Sequence, residues 1–388
     1  MMRTFSPSLL HAFFIIVISS TVLDAQAQTV EGVKGYTSEA GTWLPEKVED
    51  LTGLKMGPFV SLDNGDLLTV EDTQCLISSD QGKTWTGYDM FEDPEKFQIS
   101  NERAIMKTST GVIVLAFMNL RERRNWNWQP EISDSPGAIL PTYAIRSLDG
   151  GKTWQDAQKL HQEHAGAVRD MIETRSGNII FTSMMMRHNP GRHTVLTYTS
   201  RDDGRSWERS NIIDLGGVGH HSGVTESTIE QLNDGRIWQL MRTNWGTFWE
   251  AFSEDEGITW KDIKPTSIDA SSAPGLLKRL ESGRLALIWN RLYPSGKDYY
   301  PLRGGDRQWS EVRSSNHREE LSIAFSEDEG KTWSTPKIIA KSYAIQNQDV
   351  GKAWLSYPYC LEINPGELLI TTMQGGLRIK VLEKDFLD

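Results

Sequence analysis

The stretch SEDEGKTW, residues 326–333, decides the fold, because variants of it occur five times along the chain. All five share the pattern Ser-x-Asp-x-Gly-x-Thr/Ser-Trp, where x is any residue. The other four are SSDQGKTW from Ser78, SLDGGKTW from Ser147, SRDDGRSW from Ser200 and SEDEGITW from Ser253. Such repetition indicates one supersecondary unit copied around an axis.

Each copy of this phrase closes a short alternating apolar run, such as YAIRS before Asp149 or LSIAFS before Asp328. Runs of period two predict strands, and the Asp-x-Gly that follows predicts the turn. The aspartate accepts hydrogen bonds from backbone N–H groups, and the glycine adopts a positive φ at little cost. The tryptophan buries a large ring and anchors the turn. We therefore interpret these aspartates as structural residues.

A second repeat consists of hairpins with a central glycine, and it occurs six times. Five of these hairpins are followed by the phrase, whereas the sixth runs to the end of the chain. We predict an all-β protein, a six-bladed β-propeller of four-stranded antiparallel blades with five Asp-box turns. The N-terminal segment should complete the last blade. The hairpin glycines are Gly65, Gly111, Gly177, Gly235, Gly283 and Gly366.

Residues 1–27 carry the pattern of a cleavable signal peptide. Arg3 precedes an apolar run from about Leu9 to Leu23, and Ala25 and Ala27 form a small-x-small cleavage site. The apolar run is too short to span a bilayer, so we expect no membrane insertion. The mature protein should therefore be secreted or periplasmic. Residues 28–388 contain no linker-like tract and fit a single propeller domain.

Composition excludes several classes of function. With 41 basic and 52 acidic residues the net charge is −11, which argues against nucleic-acid or anionic-membrane binding. Cys75 and Cys360 fall in the first and last blades, which are neighbours in a ring, so a closing disulfide and two buried free thiols both remain open. The pair His220-His221 lacks the further ligands that a metal would need. We expect no metal and no cofactor.

The alternation of strands places one set of strand ends on the face opposite the five turns. The long connections at 118–142 and 291–317 belong to the same face and should wall a cleft. Guanidinium groups suit carboxylate or sulfate, which predicts an acidic sugar, although arginines at strand ends are also common as solvated charges. Second strands of the blades end at Arg121, Arg187, Arg242 and Arg291, and first strands begin near Glu102, Asp170, Glu226, Ser272 and Tyr357.

The loop RERRNWNWQ, residues 121–129, mixes cations with Trp126 and Trp128. It is either a sugar-stacking loop or a solvated insertion.

The chain resembles the sialidase superfamily along its whole mature length, in its Asp boxes and in three longer stretches. These are TESTIEQLNDGRIWQLMRT, SYPYCLEINPGELLITT and REELSIAFSEDEGKTW. The resemblance implies that Tyr357 is the nucleophile and that Glu226 activates it. It also implies that Arg242 and Arg318 bind the substrate carboxylate.

The chemistry of a sialic acid explains these residue types. Its own carboxylate would repel a carboxylate nucleophile, whereas a neutral tyrosine avoids this repulsion if a nearby glutamate takes its proton. The leaving oxygen needs an acid, for which Glu102 is the first candidate and Asp170 the second. His221 is a candidate sugar contact or proton carrier.

The chain departs from the sialidase pattern in the first blade. The family has an Arg-Ile-Pro motif there, whereas this chain has LKMGPFVSL, in which Met56 replaces the arginine and Lys55 substitutes for it at best in part. The expected function is a secreted exo-glycosidase of sialidase type, acting with retention on a glycan with a terminal acidic sugar. Two alternatives remain: another carbohydrate-active propeller, such as a different hydrolase or a uronic-acid lyase, or a propeller that only binds glycans.

Overall fold

A computed structural model of the chain describes residues 28–30, 32–342 and 354–387. The predicted signal peptide lies outside the described residues. Within them, the chain consists of β-strands joined by turns, with short 3₁₀ helices at Pro94–Lys96, Leu120–Glu122 and Glu383–Asp385. No helix in these ranges is long and apolar enough to cross a membrane.

The chain begins with short strands and continues into the first two blades. The N-terminal strands are β1 (Gln28–Val30), β2 (Val33–Thr37), β3 (Thr42–Pro45) and β4 (Glu49–Asp50). The first blade contains β5 (Val60–Ser61), β6 (Leu67–Glu71), β7 (Gln74–Ser78) and β8 (Thr86–Asp89). The second blade contains β9 (Ile99–Lys107), β10 (Ile113–Asn119), β11 (Ile139–Ser147) and β12 (Gln155–Glu163).

The third and fourth blades follow the same antiparallel order. The third contains β13 (Val168–Glu173), β14 (Ile179–Arg187), β15 (Arg192–Ser200) and β16 (Glu208–Arg209). The fourth contains β17 (Thr225–Gln231), β18 (Ile237–Arg242), β19 (Thr247–Ser253) and β20 (Lys261–Asp269).

The remaining strands complete the ring. They are β21 (Leu276–Arg279), β22 (Leu285–Trp289), β23 (Leu302–Gly304), β24 (Arg313–Ser315), β25 (Glu320–Ser326) and β26 (Lys337–Ser342), then β27 (Ser356–Asn364), β28 (Glu367–Gln374) and β29 (Arg378–Leu382). Strands β23 and β24 pair only with each other. The closing blade has the order β27-β28-β29-β4, so the N-terminal segment completes it, as predicted.

The prediction of six four-stranded blades needs one correction. Five sheets of the described chain have four strands, whereas one sheet has seven, in the order β1-β2-β3-β26-β25-β22-β21. The N-terminal hairpins extend this sheet because β3 pairs with β26, with Trp43 opposite Lys341. The all-β propeller and the antiparallel four-stranded blade are therefore confirmed, and a ring of six equal blades is wrong.

The five repeated turns share one set of hydrogen bonds, as the turn after β11 illustrates. The hydroxyl of Ser147 donates to Asp149 at 2.9 Å and accepts from the N–H of Gly151 at 2.8 Å. Asp149 also accepts from the N–H and the hydroxyl of Thr153 at 2.9 and 2.7 Å. Each of the five strands before a turn ends at the serine of the phrase. The aspartates are thus occupied within their turns.

The core of the described chain is divided into six clusters of buried apolar side chains, which lie between neighbouring sheets. The cluster of Phe59, Leu67 and Leu369 joins the closing blade to the first blade and so closes the ring. Cys75 and Cys360 are free thiols. The ring is thus closed by strand pairing and apolar packing.

Candidate active site

Three side chains on the face opposite the repeated turns form one buried, hydrogen-bonded unit. The phenol of Tyr357 donates to Glu226 Oε1 at 2.9 Å. Arg242 Nη1 donates to Glu226 Oε2 at 2.7 Å and to Tyr357 Oη at 3.3 Å. The exposed fractions are 7% for the tyrosine, 9% for the glutamate and 2% for the arginine. We call this group the Tyr357–Glu226–Arg242 unit.

The elements of the fold explain why these side chains meet. Glu226 is the second residue of β17, and Arg242 ends β18 opposite Thr225, so the two lie on adjacent strands of the fourth blade. Tyr357 is the second residue of β27, the first strand of the closing blade. First strands of propeller blades surround the central axis, so the unit spans it.

Tyr357 has a strained backbone. Its φ of +63° lies in the left-handed region, which is rare for a bulky residue within a strand. Strain of this kind costs about 1–3 kcal/mol and is typically retained where it serves a function. The position is followed by Pro358, whose ring restricts the preceding residue further. The strain directs attention to this tyrosine independently of its hydrogen bonds.

Arg318 lies on the other side of the tyrosine. Its Cζ is 5.5 Å from the centre of the Tyr357 ring, and its Nη2 donates to the carbonyl of Ser272 at 2.6 Å. The hydroxyl of the same Ser272 accepts from Arg242 Nη2 at 2.9 Å. Burial lowers the pKa of Arg318 to about 10, so the guanidinium remains charged at neutral pH. One serine therefore fixes both arginines.

Arg169 also contacts the tyrosine, although the sequence did not reveal it. It extends from β13, across the ring from β27, and its Nη2 donates to the carbonyl of Pro358 at 3.0 Å. Its Cζ lies 5.1 Å from the ring centre of Tyr357 and 4.8 Å from that of Tyr359. Its Nε and Nη1 are buried without a hydrogen-bond partner among the described residues. Its position at the start of a first strand, directly before Asp170, was the available signal.

Glu102, the first candidate acid, faces the same region from β9. Burial raises its pKa, and the neighbouring charges include those of Arg169 and Glu226. Glu102 in turn contributes to the raised pKa of Tyr357, so the carboxyl lies within electrostatic range of the phenol. A carboxyl group with a raised pKa keeps its proton more readily and suits proton donation.

Asp170, the second candidate acid, is engaged elsewhere. One carboxylate oxygen accepts from the hydroxyl of Thr228 and, at 2.9 Å, from the N–H of Ile229, both in β17. Its other oxygen accepts from the N–H of Met171. Successive side chains of a strand point to opposite sides, so Arg169 and Asp170 diverge. The carboxylate ties β13 to the next blade, and the structure does not bring it to the tyrosine.

Three arginines predicted at strand ends lie outside this group. Arg121 is exposed and 4.0 Å from Glu95, and Arg187 is exposed at the end of β14. Arg291 lies 3.4 Å from Asp269. The strand end determines the face of the propeller but not the direction of a long side chain, which is solvated at low cost at the rim. We therefore do not assign these three arginines to the candidate site.

The first blade supplies no guanidinium to the site. Met56 occupies the position of the missing arginine, and its carbonyl accepts a hydrogen bond from Thr371. The ammonium group of Lys55 is 2.7 Å from Glu71, with which it forms a half-exposed ion pair. Lys55 is thus occupied by its own blade.

His221 lies beside the Tyr357–Glu226–Arg242 unit. Its ring stacks on Trp309 at 5.5 Å, so the long connection at 291–317 borders the site. Burial and the charge of Arg242 lower the pKa of His221 to about 2. The ring is therefore neutral at physiological pH, which suits a sugar contact better than proton donation.

The electrostatics of the unit fit an activated phenol. Burial alone would raise the pKa of Glu226, but the charge of Arg242 and the hydrogen bonds outweigh it and lower the pKa to about 2. Burial and the charge of Glu226 raise the pKa of Tyr357. At neutral pH the pair is therefore a neutral phenol that donates to an ionised carboxylate. The described residues contain no group of three or more His, Cys, Asp or Glu side chains arranged to hold a metal ion.

Solved structures with the same fold come from several organisms. A Hadza microbial sialidase superposes with a TM-score of 0.57 at 15% identity, over 90% of this chain and 68% of that chain. A Dyadobacter fermentans protein of unknown function gives 0.54 at 15% identity, over 87% and 95%. A Penicillium chrysogenum alpha-L-arabinanase complexed with arabinobiose gives 0.50 at 13% identity, over 88% and 98%. At these identities the likeness shows the fold alone.

Sequence comparison gives a more specific result. No curated protein matches the chain. Residues 70–370, well over half of the chain, match the family described as the BNR repeat-like domain. With its propeller fold, this chain belongs to the BNR repeat-like domain family, within the superfamily of sialidases and BNR-repeat propellers.

Proposed function

We propose that this protein is a retaining exo-glycosidase of sialidase type, which releases a terminal acidic sugar from a glycan. The observation that carries the proposal is the 2.9 Å hydrogen bond from the Tyr357 phenol to Glu226, with Arg242 donating to both. A tyrosine activated by a carboxylate is the arrangement that a nucleophile needs when the substrate itself is an anion. The sialidase and arabinanase neighbours act as support for a carbohydrate-active propeller.

In the first step Tyr357 Oη attacks the anomeric carbon, and the glycosidic C–O bond breaks. Glu226 takes the phenolic proton, and Glu102 gives its proton to the leaving oxygen. Glu226 is a weak base because its pKa is about 2. Proton transfer therefore has to accompany formation of the C–O bond, which removes the proton's hold on the phenol oxygen.

In the second step water attacks the anomeric carbon of the tyrosyl-sugar intermediate. Glu102, now ionised, takes the proton of the water, and the bond to Tyr357 breaks. Glu226 returns the proton to the phenol. Two displacements at the same carbon give retention of configuration, and the residues return to their starting protonation states.

The charge of the site supports an anionic substrate. The guanidinium groups of Arg169, Arg242 and Arg318 surround the Tyr357 ring and phenol. Glu226 is the carboxylate that pairs with one of them directly. A carboxylate on the sugar would balance the excess positive charge, and guanidinium forks bind such a group in bidentate fashion.

The test is the variant Tyr357→Phe, assayed on a panel of glycans with terminal sialic or uronic acids, with released sugars identified by mass. We expect release of an acidic sugar by the wild type and a loss of at least about a thousandfold in the variant, since a nucleophile is removed. Tyr198→Phe is the matched control, because Tyr198 is a buried tyrosine that pairs with His161 in the second and third blades. Its activity should remain.

The outcomes separate the alternatives. Full activity of Tyr357→Phe would exclude the tyrosine as nucleophile. A product with the ultraviolet absorbance of an unsaturated uronate would favour a lyase over a hydrolase. Binding of glycans without any product over a wide pH range would favour a binding propeller.

A further inference from the structure

A row of aromatic and histidine side chains lies next to the proposed catalytic unit but takes no part in the proposed reaction. We call it the aromatic wall. Its members come from the long connections of the second blade and of the seven-stranded sheet, and from the segments on either side of the third blade. They are Trp126, His164, His193, His220, His221 and Trp309.

The wall is continuous. The ring of Trp126 stacks on His164 with centroids 4.4 Å apart and meets the edge of His220 at 6.3 Å. His220 contacts His221 at 4.4 Å, and His221 stacks on Trp309 at 5.5 Å. Trp126 and His220 are partly exposed, so the wall has a face that a ligand can reach.

A chain of hydrogen bonds joins the wall to the Tyr357–Glu226–Arg242 unit. Asn244 Nδ2 donates to the carbonyl of His221 at 2.7 Å, and Asn244 Oδ1 accepts from the hydroxyl of Ser272 at 2.6 Å. That hydroxyl accepts from Arg242. A ligand that spans the unit and the wall would therefore contact one connected structure.

The wall contains ring nitrogens without protein partners. His193 Nε2 donates to the carbonyl of His220 at 2.8 Å, so in the neutral ring Nδ1 is an acceptor, and it has no partner among the described residues. Neither ring nitrogen of His164 has one. These two side chains are only 7% and 6% exposed, and buried polar groups are normally paired. The nitrogens lie 6.4 Å apart, measured between ring centres, on the side of the wall that adjoins Glu226.

The wall is uncharged at neutral pH. Burial lowers the pKa of His193 to about 4 and that of His164 to about 3. A neutral imidazole offers one donor and one acceptor, which a hydroxyl group can satisfy and a carboxylate cannot, because the acceptor nitrogen repels it. Tryptophan faces complement the apolar C–H face of a sugar ring.

We propose that the aromatic wall is a subsite for an uncharged sugar residue. Trp126 provides the stacking surface, and His164 and His193 provide hydrogen bonds to sugar hydroxyls. The substrate would then be an oligosaccharide in which the acidic sugar at Tyr357 is joined to a neutral one. This last point rests on the proposed function, whereas the binding of a neutral sugar does not.

Binding is measured by isothermal titration of lactose, cellobiose, maltose and N-acetyllactosamine, and by saturation-transfer NMR. Wild type and Tyr357→Phe should bind at least one of these neutral disaccharides with equal affinity. His164→Leu and Trp126→Ala should each weaken binding by about fivefold or more, as expected for one lost hydrogen bond or stacking contact. The half-buried position of Trp126 makes the second variant safe for folding.

His161→Leu is the matched control. His161 is also buried and neutral, but its ring nitrogens pair with Thr142 and Tyr198 inside the core. Its removal should cost stability and leave sugar binding unchanged. Equal weakening in His161→Leu and His164→Leu, or no binding of any neutral disaccharide to the wild type, would overturn the inference. Neutral-sugar binding without release of an acidic sugar would overturn the proposed function only.

Discussion

Glu226 keeps a negative charge in a buried position because the guanidinium of Arg242 lies 2.7 Å away. The pairing lowers the pKa of the carboxyl from its ordinary 4.5 to about 2. A carboxyl whose pKa is lower in the folded than in the unfolded protein stabilises the fold above the unfolded value. That contribution is lost as the pH falls through the folded value.

Glu226→Gln leaves Arg242 buried without its counter-charge. We expect the free energy of unfolding at neutral pH to fall by about 3–5 kcal/mol, as for other broken buried pairs. The wild type loses its advantage as Glu226 becomes protonated, so the difference between the two proteins should shrink as the pH falls from 4.5 towards 2. Urea unfolding at a series of pH values measures this difference.

The control is Glu49→Gln, which removes an exposed ion pair with Lys380. Surface pairs contribute about 0–1 kcal/mol, so this variant should stay close to the wild type at every pH. A difference between wild type and Glu226→Gln that is independent of pH would contradict the assignment of the charge to Glu226.

The positions of strand ends were sufficient to predict that Tyr357, Glu226, Arg242 and Arg318 lie together. They were not sufficient for Arg169, because its contacts are with residues on the opposite side of the ring. A guanidinium that stacks between two tyrosine rings leaves no spacing pattern in the sequence. Contacts across the central axis are thus the part of the site that required the structure.

At the scale of a single element, the serine of each repeated turn carries as much of the structure as the aspartate. In the turn after β15, the Ser200 hydroxyl donates to Asp202 at 2.9 Å and accepts from the N–H of Gly204 at 2.9 Å. Ser200 is buried, whereas Asp202 is exposed. Loss of the hydroxyl therefore leaves a buried N–H group without a partner.

Ser200→Ala should lower the free energy of unfolding by about 1–3 kcal/mol, the cost of an unpaired buried donor. Thermal unfolding followed by circular dichroism measures it. Ser206→Ala, in the same turn, is the control, because its hydroxyl makes an exposed contact to Asp202. The turn lies opposite the candidate site, so the activity of folded Ser200→Ala should equal that of the wild type. Reduced activity in the folded variant would contradict this separation of the two faces.

Local pattern was sufficient for the repeated strands and turns, because each strand before a turn ends at the serine that the phrase supplies. It was not sufficient for the seven-stranded sheet. The pairing of β3 with β26 joins residues about three hundred positions apart, and short strands such as β1 and β2 have no period that assigns them to a particular edge. Edge pairing of this kind depends on which surface the closed ring leaves available.

At the scale of the whole molecule, the N-terminal segment holds the ring together in two ways. Strand β4 pairs with β29, with Asp50 opposite Ile379, and so completes the blade that carries Tyr357. Leu44 and Val48 are buried in the apolar cluster between the closing blade and the seven-stranded sheet. The tyrosine therefore depends on residues that precede it by three hundred positions.

Removal of all residues before Leu51 should open the ring. The variant loses the buried side chains of Leu44 and Val48, each worth about 2–5 kcal/mol by analogy with truncations in cores, and exposes the edge of β29. A protein that begins at Gly32 is the control, since it lacks only β1, the outermost strand of the seven-stranded sheet. The control should unfold cooperatively and keep its activity. The longer deletion should lose both, and the amides of β28 and β29 should exchange faster with deuterium. Cooperative unfolding and full activity without β4 would show that the remaining strands close the ring alone, and that the position of Tyr357 is set by packing within its own blade.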